Sequence, residues 1–342
     1  MNGVGIHQFR GALLASLVRF RVVIILIATL LVAMSFVPSF IDARTLSLGL
    51  DRAATMGILA VGVTVVLLLG QLDLSIGSIL ALSGIAAVGL QPVVGQGMAA
   101  LLGVGLGLVC GMVNGFLVAV LKINSLVATL ATMIFFRAAC HLITDSRPIS
   151  GVDPYFGIAF TRPLAGVISL RALIFIVAII LLHVFLTRTV LGREILAVGS
   201  NADSAKASGI RANRVTFGAF VFSGLTAGVG GVIFSVASNT GSPVFGETLV
   251  LTTIAAVVIG GTRLEGGVGT ALGSFGGVLT LAALTTAMEY QGVPSYIQDI
   301  VTGLILLMLI LLDRLTAERQ SQALSLTQLK SAVTHRMERK SS

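Results

Sequence analysis

Apolar positions along this chain come as long unbroken runs, with neither the alternation of a half-buried strand nor the one-sided stripe of a surface helix. A helix needs roughly 20 apolar residues to cross about 30 Å of hydrocarbon. Ten runs reach or approach that length: 22–41, 53–70, 74–90, 97–121, 125–143, 172–187, 215–237, 248–262, 267–288 and 295–312. The third and eighth are short, and only Pro92, Gly95 and Gly97 mark the break before the fourth. The pattern predicts an all-α polytopic membrane protein of about ten crossings. A terminal segment over 1–21 precedes the membrane domain at 22–314, and a polar tail covers 315–342. The first run is longer than a signal peptide's apolar core and lacks a small-x-small cleavage site, so it reads as a retained span.

The polar positions between runs set an orientation. With the amino terminus inside, 16 basic residues fall on the cytoplasmic side, and five (Arg44, Arg52, Arg147, Arg162 and Arg171) fall outside. Acidic residues divide seven and seven. Excess Lys and Arg on one side is the positive-inside signature, and it predicts both termini in the cytoplasm. Ten crossings split five and five give halves of opposite topology, a recurring transporter plan. The one internal echo, Gly260–Thr270 (GGTRLEGGVGT) against Gly70–Ser78, is parallel rather than inverted, since both hairpins fall on the cytoplasmic side.

Composition narrows the class. Only 11% of residues are charged, against about 25% in soluble chains, so most of the surface cannot face water. The net charge of +8 comes from residues between the spans and in the tail; it reads as orientation, not as a nucleic-acid footprint. Cys110 and Cys140 both lie inside apolar runs, with neither zinc-ligand spacing nor a disulfide framework. No H-E-x-x-H and no Ser/His/Asp constellation supports a membrane enzyme.

Within the spans, Gly103, Gly107, Gly111 and Gly115 recur every fourth residue, as do Gly269, Gly273 and Gly277. Such stripes let two helix backbones approach closely. Arg137 sits near the middle of the fifth span, with His141 one turn on. An arginine there must face protein or water: it either lines a path or pairs with backbone carbonyls or an acid such as Asp299. Asn114, Thr129, Thr132 and Gln298 either bond a hydroxylated solute along a translocation path or bond a neighbouring helix. Asp73 falls at the cytoplasmic end of the second span. There it is expected to form, with Ser75, a tight turn and a cap on the N–H groups of Ile76, Gly77 and Ser78. In the long inside loop 188–214, Asn201 or Asp203 caps a helix of about two turns with Ala205 and Ala207 in its body, and Gly209 ends it.

The ordered stretches DLSIGS (73–78), NGFLVAVLKINSLVATLATM (114–133), GREILAVGSNADSAKASGI (192–210), IAAVVIGGTRLEGGVGTALG (254–273) and a closing LLDR (311–314) resemble the bacterial ATP-binding-cassette importer permeases of the ribose, xylose and arabinose type. The wider group includes branched-chain amino-acid permeases. Gln71-Leu72 departs from the Gly-Ile or Glu-Ile pair that relatives often carry before the aspartate. The resemblance implies an inner-membrane permease, paired with a second copy, that passes a monosaccharide delivered by a periplasmic binding protein. Binding in the path is then weak and its charged residues few. The resemblance also implies a separate cytoplasmic ATPase that uses ATP and Mg, in keeping with the lack here of a G-x-x-x-x-G-K-[ST] loop. It assigns coupling to that ATPase to Gly192, Arg193, Asn201, Asp203, Ala205, Ser208 and Gly209. The external segment 144–170, with Pro148, Pro154 and Pro163, is expected to receive the binding protein. The alternatives are an ion-coupled secondary transporter, which would want an acid well inside a span, and a permease for a non-sugar solute such as branched-chain amino acids.

Overall fold

The computed structural model describes residues 20–164, 166–308 and 311. The predicted tail at 315–342 and nearly all of segment 1–21 lie outside the described residues. The chain folds as helices α1 (Arg21–Phe36), α2 (Ala43–Leu68), α3 (Ile76–Gly89), α4 (Gln91–Val94), α5 (Gln96–Gly115), α6 (Ser125–Thr144) and α7 (Pro154–Thr161), followed by α8 (Leu170–Arg188), α9 (Val190–Ser200), α10 (Ala202–Ala207), α11 (Ala212–Ala237), α12 (Leu249–Ile259), α13 (Ala271–Tyr290) and α14 (Ser295–Met308). Among the described residues, six helices are long and apolar enough to cross a membrane: α2, α5 with its extension to Val120, α6, α8, α11 and α13. Helices α1, α3, α12 and α14 are shorter and also apolar. Every predicted run coincides with one of these ten.

One boundary differs by ten residues. The second run was expected to begin at 53, after Asp51 and Arg52, whereas α2 begins at Ala43. Both charges lie inside the helix because each has an ion-pair partner elsewhere in the fold, Arg171 and Glu289 respectively. At 1.5 Å per residue the 26 residues of α2 span about 39 Å, longer than the roughly 30 Å of hydrocarbon a crossing needs.

Helix α11 is the hub, packed against α2, α3 and α5. Its crossing with α5 is glycine on glycine. A Cβ on Gly107 would lie 2.6 Å from the Cα of Gly228, and one on Gly224 would lie 2.5 Å from the Cα of Gly111. Between α12 and α13 a Cβ on Gly277 would overlap the carbonyl of Ala256, and one on Gly273 that of Gly260. Both stripes are therefore packing surfaces.

Segment 144–170 is not a bare connector. Strand β1 (Ile149–Ser150) pairs antiparallel with β4 (Thr240–Gly241), and β2 (Pro163–Leu164) with β3 (Ile168–Ser169). Between them α7 starts on Pro154, capped by Asp153, and lies against the C-terminal end of α11.

Candidate functional site

Helices α2, α11, α13 and α14, with the connection 244–249, enclose a cavity of about 670 Å³. Its charged lining is Asp51, Arg52, Arg171, Glu247 and Asp299, joined by the amide of Gln298 and by hydroxyls that include Thr55, Thr248 and Thr302. Two ion pairs brace its rim. Asp51, 5% exposed, accepts from Arg171 at 2.5 Å and from the hydroxyl of Ser169, which in turn caps α8 by accepting from the N–H of Ala172 at 3.2 Å. Arg52 pairs with Glu289. Removing one partner of a buried pair strands the other. Asp51→Ala is therefore expected to cost about 3 kcal/mol of stability, and Asp51→Ala with Arg171→Met to recover much of that in thermal unfolding of the purified protein.

Of the sequence-predicted path residues, Gln298 lines this cavity. Arg137 does not; its Nη1 donates to the carbonyls of Pro243 and of Phe245, the latter at 2.8 Å. Phe245 is part of the cavity wall, so Arg137 fixes that wall from behind. His141 lies beyond it, its Nδ1 3.1 Å from the Ser146 hydroxyl.

Asn114, Thr129 and Thr132 meet a different feature, the irregular stretch 71–75 between α2 and α3. Non-helical backbone inside a membrane bundle persists only where protein satisfies its polar groups. Here the N–H of Leu72 donates to Ser125 Oγ at 3.3 Å and that of Leu74 to Thr129 Oγ1 at 3.2 Å. Asp73 is buried rather than sitting at a solvent-facing helix end. The expected cap bonds to Ile76, Gly77 and Ser78 are not made. The carboxylate instead accepts from the N–H of Ser75 at 3.1 Å, from Ser75 Oγ at 2.6 Å and from Ser223 Oγ on α11 at 2.8 Å. Asn114 extends the chain, donating to Ser75 Oγ and accepting from Thr132 Oγ1, both at 2.7 Å. The reason is distance: a carboxylate at residue 73 reaches three donors on neighbouring backbone and helices, whereas the first turn of α3 points its N–H groups elsewhere. Ser78 donates to the carbonyl of Met133 at 2.9 Å, and Gly77 lets α3 close onto the carbonyl of Gly246.

Helix α10 is the short helix expected in the 188–214 loop. Asn201 caps it by accepting from the N–H of Ser204 at 2.8 Å, Lys206 pairs with Asp203 at 3.1 Å, and Ser208 Oγ donates to the Ser204 carbonyl at 3.0 Å. Gly209 ends the helix at φ +86°. Ala205 anchors it inward while its other residues are exposed. In α9, Arg193 is exposed, and Gly192 is buried where a Cβ would overlap the carbonyl of Phe185. The two glycine hairpins that echo one another touch: the N–H of Gly267 donates to the Leu68 carbonyl at 2.8 Å, and Gly70 packs on Glu265. Gly266 and Gly267 also pack on Gly199 and Ser200 at the end of α9, which ties the Asp73 turn to the residues that lead into α10.

A family profile described as "Branched-chain amino acid transport system / permease component" matches residues 45–310. The chain belongs to this permease family. The permease is 37% identical over 283 residues to the ribose import permease protein RbsC of Bacillus subtilis (strain 168), covering 81% of this chain and 87% of the relative. It is 34% identical over 298 residues to the L-arabinose transport system permease protein AraH of Escherichia coli (strain K12), covering 85% and 89%. To the inner membrane ABC transporter permease protein YjfF of the same organism it is 35% identical over 287 residues, covering 81% and 86%. No solved structure matches the chain.

The matched residues of the permease take in everything from α2 to α14, so the cavity, the Asp73 turn and α10 all lie within the region shared with the family, and α1 lies before it. Sequence reading missed Ser223, Ser169 and the Asp51–Arg171 pair. A serine in an apolar run carries no local mark, and the partners of Asp51 stand 118 and 120 residues away.

Proposed function

We propose that this permease is the membrane-spanning subunit of an ATP-driven importer for a monosaccharide in the bacterial inner membrane. The observation that carries the reading is the 37% identity to a ribose import permease over four-fifths of the chain. The outer cavity supports it: the carboxylates of Glu247 and Asp299 and the amide of Gln298 offer acceptors and donors to a polyhydroxylated solute. The ion pairs at its rim remove two cations from the path without emptying it of charge, so the path is more charged than the resemblance led one to expect.

In this reading the six long and four short apolar helices make ten crossings, with both termini inside and two five-helix halves inverted. Two copies form the path, and a periplasmic binding protein docks over the 144–170 segment. A cytoplasmic ATPase pair, hydrolysing ATP with Mg, receives α10 and its flanks, with Gly192, Arg193, Asn201, Asp203, Ala205, Ser208 and Gly209 shaping the contact. Gln298 faces the solute, and Arg137 holds the wall. Asn114, Thr129 and Thr132 serve the path by fixing the Asp73 turn.

The test is reconstitution in proteoliposomes with candidate ATPase and binding-protein partners. Sugar-loaded binding protein is expected to stimulate both ATP hydrolysis and sugar uptake. Stimulation only by an amino-acid-loaded binding protein would move the substrate assignment, and no stimulation by any partner would overturn the importer reading. Coupling has its own test. Nothing lies within 4 Å of a Cβ built on Gly209, so Gly209→Trp fits, with a left-handed backbone penalty of about 1–2 kcal/mol. It is expected to leave insertion intact and abolish stimulated uptake, while Gly209→Asn, which tolerates that backbone, retains it.

A further inference from the structure

A second hollow, about 740 Å³, shares none of its lining residues with the first. Helices α8 and α11 both pack on α2 and leave a gap between them, floored by Val61 and Val65. Its walls are apolar, from Leu182 and Phe185 on α8 to Ala219 and Phe222 on α11. The hydroxyl of Thr226, the one neutral polar side chain there, is already bonded within α11 to the Ser223 carbonyl at 2.9 Å. Helix α8 is largely unburied by the rest of the bundle, so the groove opens sideways, where hydrocarbon surrounds the protein.

One charge lines this groove: Arg214, at the end where α11 begins. It is exposed and, among the described residues, has no hydrogen-bond or ion-pair partner. Glu194, the carboxylate of neighbouring α9, does not pair with it. A cation in the first turn of a helix opposes the helix dipole, so Arg214 does not serve α11. Arg188, Arg193 and Arg211 stand on the same side of the bundle, the side the charge count assigns to the cytoplasm. Basic residues at the cytoplasmic end of a gap between spans are the arrangement that holds anionic headgroups.

From an apolar slot open to the bilayer with an unpartnered guanidinium at its cytoplasmic mouth, we infer that the groove binds an anionic phospholipid of the inner leaflet. Its acyl chain lies between α8 and α11 and its phosphate meets Arg214. The site stands apart from the solute cavity and does not depend on which solute is carried.

The full chain, purified in a nonionic detergent, is titrated with phosphatidylglycerol and with phosphatidylcholine and read by native mass spectrometry. Wild type is expected to retain phosphatidylglycerol about fivefold more strongly, the effect of one basic residue near an anionic surface. Arg214→Gln, a surface change, is expected to erase that preference. Gly218→Phe adds a ring where nothing lies within 4 Å of the Cβ position, fills the groove and is expected to lower retention of both lipids. Equal retention of the two lipids by wild type, or an undiminished preference in Arg214→Gln, would overturn the assignment. A disulfide-linked dimer of Gly218→Cys in proteoliposomes would overturn it too, by showing a second copy of the chain in the groove.

Discussion

Asp73→Ala is expected to destabilise the permease by about 3 kcal/mol and to lower uptake severely, while the uptake that remains keeps its sugar preference. The carboxylate is 3% exposed and accepts three bonds, from the Ser75 N–H, the Ser75 hydroxyl and the Ser223 hydroxyl. Two of these donors are hydroxyls that can turn; Ser223 can rebond to a carbonyl one helical turn back. The Ser75 N–H cannot turn, and an orphaned buried N–H costs about 1–3 kcal/mol by itself. Asp73→Asn keeps the shape, retains one acceptor toward Ser75 and can donate to Ser223 Oγ, so about 1 kcal/mol is expected. Ser223→Ala removes a single bond and should fall near the same value. Thermal unfolding of the three variants, read alongside uptake, checks the order. If Asp73→Ala melts with wild type, the network is not what holds the turn; a shifted sugar preference with normal stability would place Asp73 on the solute path instead.

The consequence for transport follows from what the turn touches. Stretch 71–75 is joined to α5, α6 and α11 by side-chain bonds, and through Leu68 and Gly70 to the hairpin at 265–267. Gly199, one residue before the loop that α10 caps, also packs on the Leu68 carbonyl. A displacement of α10 therefore has a short, packed route into the bundle.

The helices were legible because a crossing requires a run of fixed length, and run length is a local property. Asn201 as a cap and Gly209 as a stop were legible for the same reason: capping is settled within four residues. Illegible features depended on distant partners. Asp51 and Arg52 look like the water-facing edge of a span until Arg171 and Glu289 are brought beside them. Asp73 looks like a surface cap until Ser223, 150 residues on, is found against its other oxygen. Asn114 and Thr132 had two open readings, solute or neighbour helix; in the fold Thr132 Oγ1 donates to Asn114 Oδ1 and joins α6 to α5. Gln298 lines the cavity because its helix, α14, borders it.

Gly107→Leu and Gly105→Leu, two residues apart on α5, are expected to differ sharply. A Cβ on Gly107 meets backbone alone, 2.6 Å from the Cα of Gly228 and 2.7 Å from the carbonyl of Gly224. No side chain can rotate away, so α5 and α11 must separate. Because α11 also packs on α2 and α3, the displacement opens the core, and a cost above about 4 kcal/mol is expected. That is enough to remove folded protein from the membrane fraction. Gly105 faces away, with nothing within 4 Å of its Cβ position. There leucine only replaces the poorest unconstrained helix former, a gain of up to about 0.8 kcal/mol. Accumulation of folded protein, followed by fluorescence-detected size exclusion, should show near-complete loss for Gly107→Leu and wild-type levels for Gly105→Leu. Gly107→Ala tests the close approach with one methyl group: because its neighbours are backbone atoms, even that change should lower the melting temperature. Were Gly107→Leu to accumulate and melt like wild type, α5 and α11 could not cross at this stripe, and Ser223 would lose the close setting that brings it to Asp73.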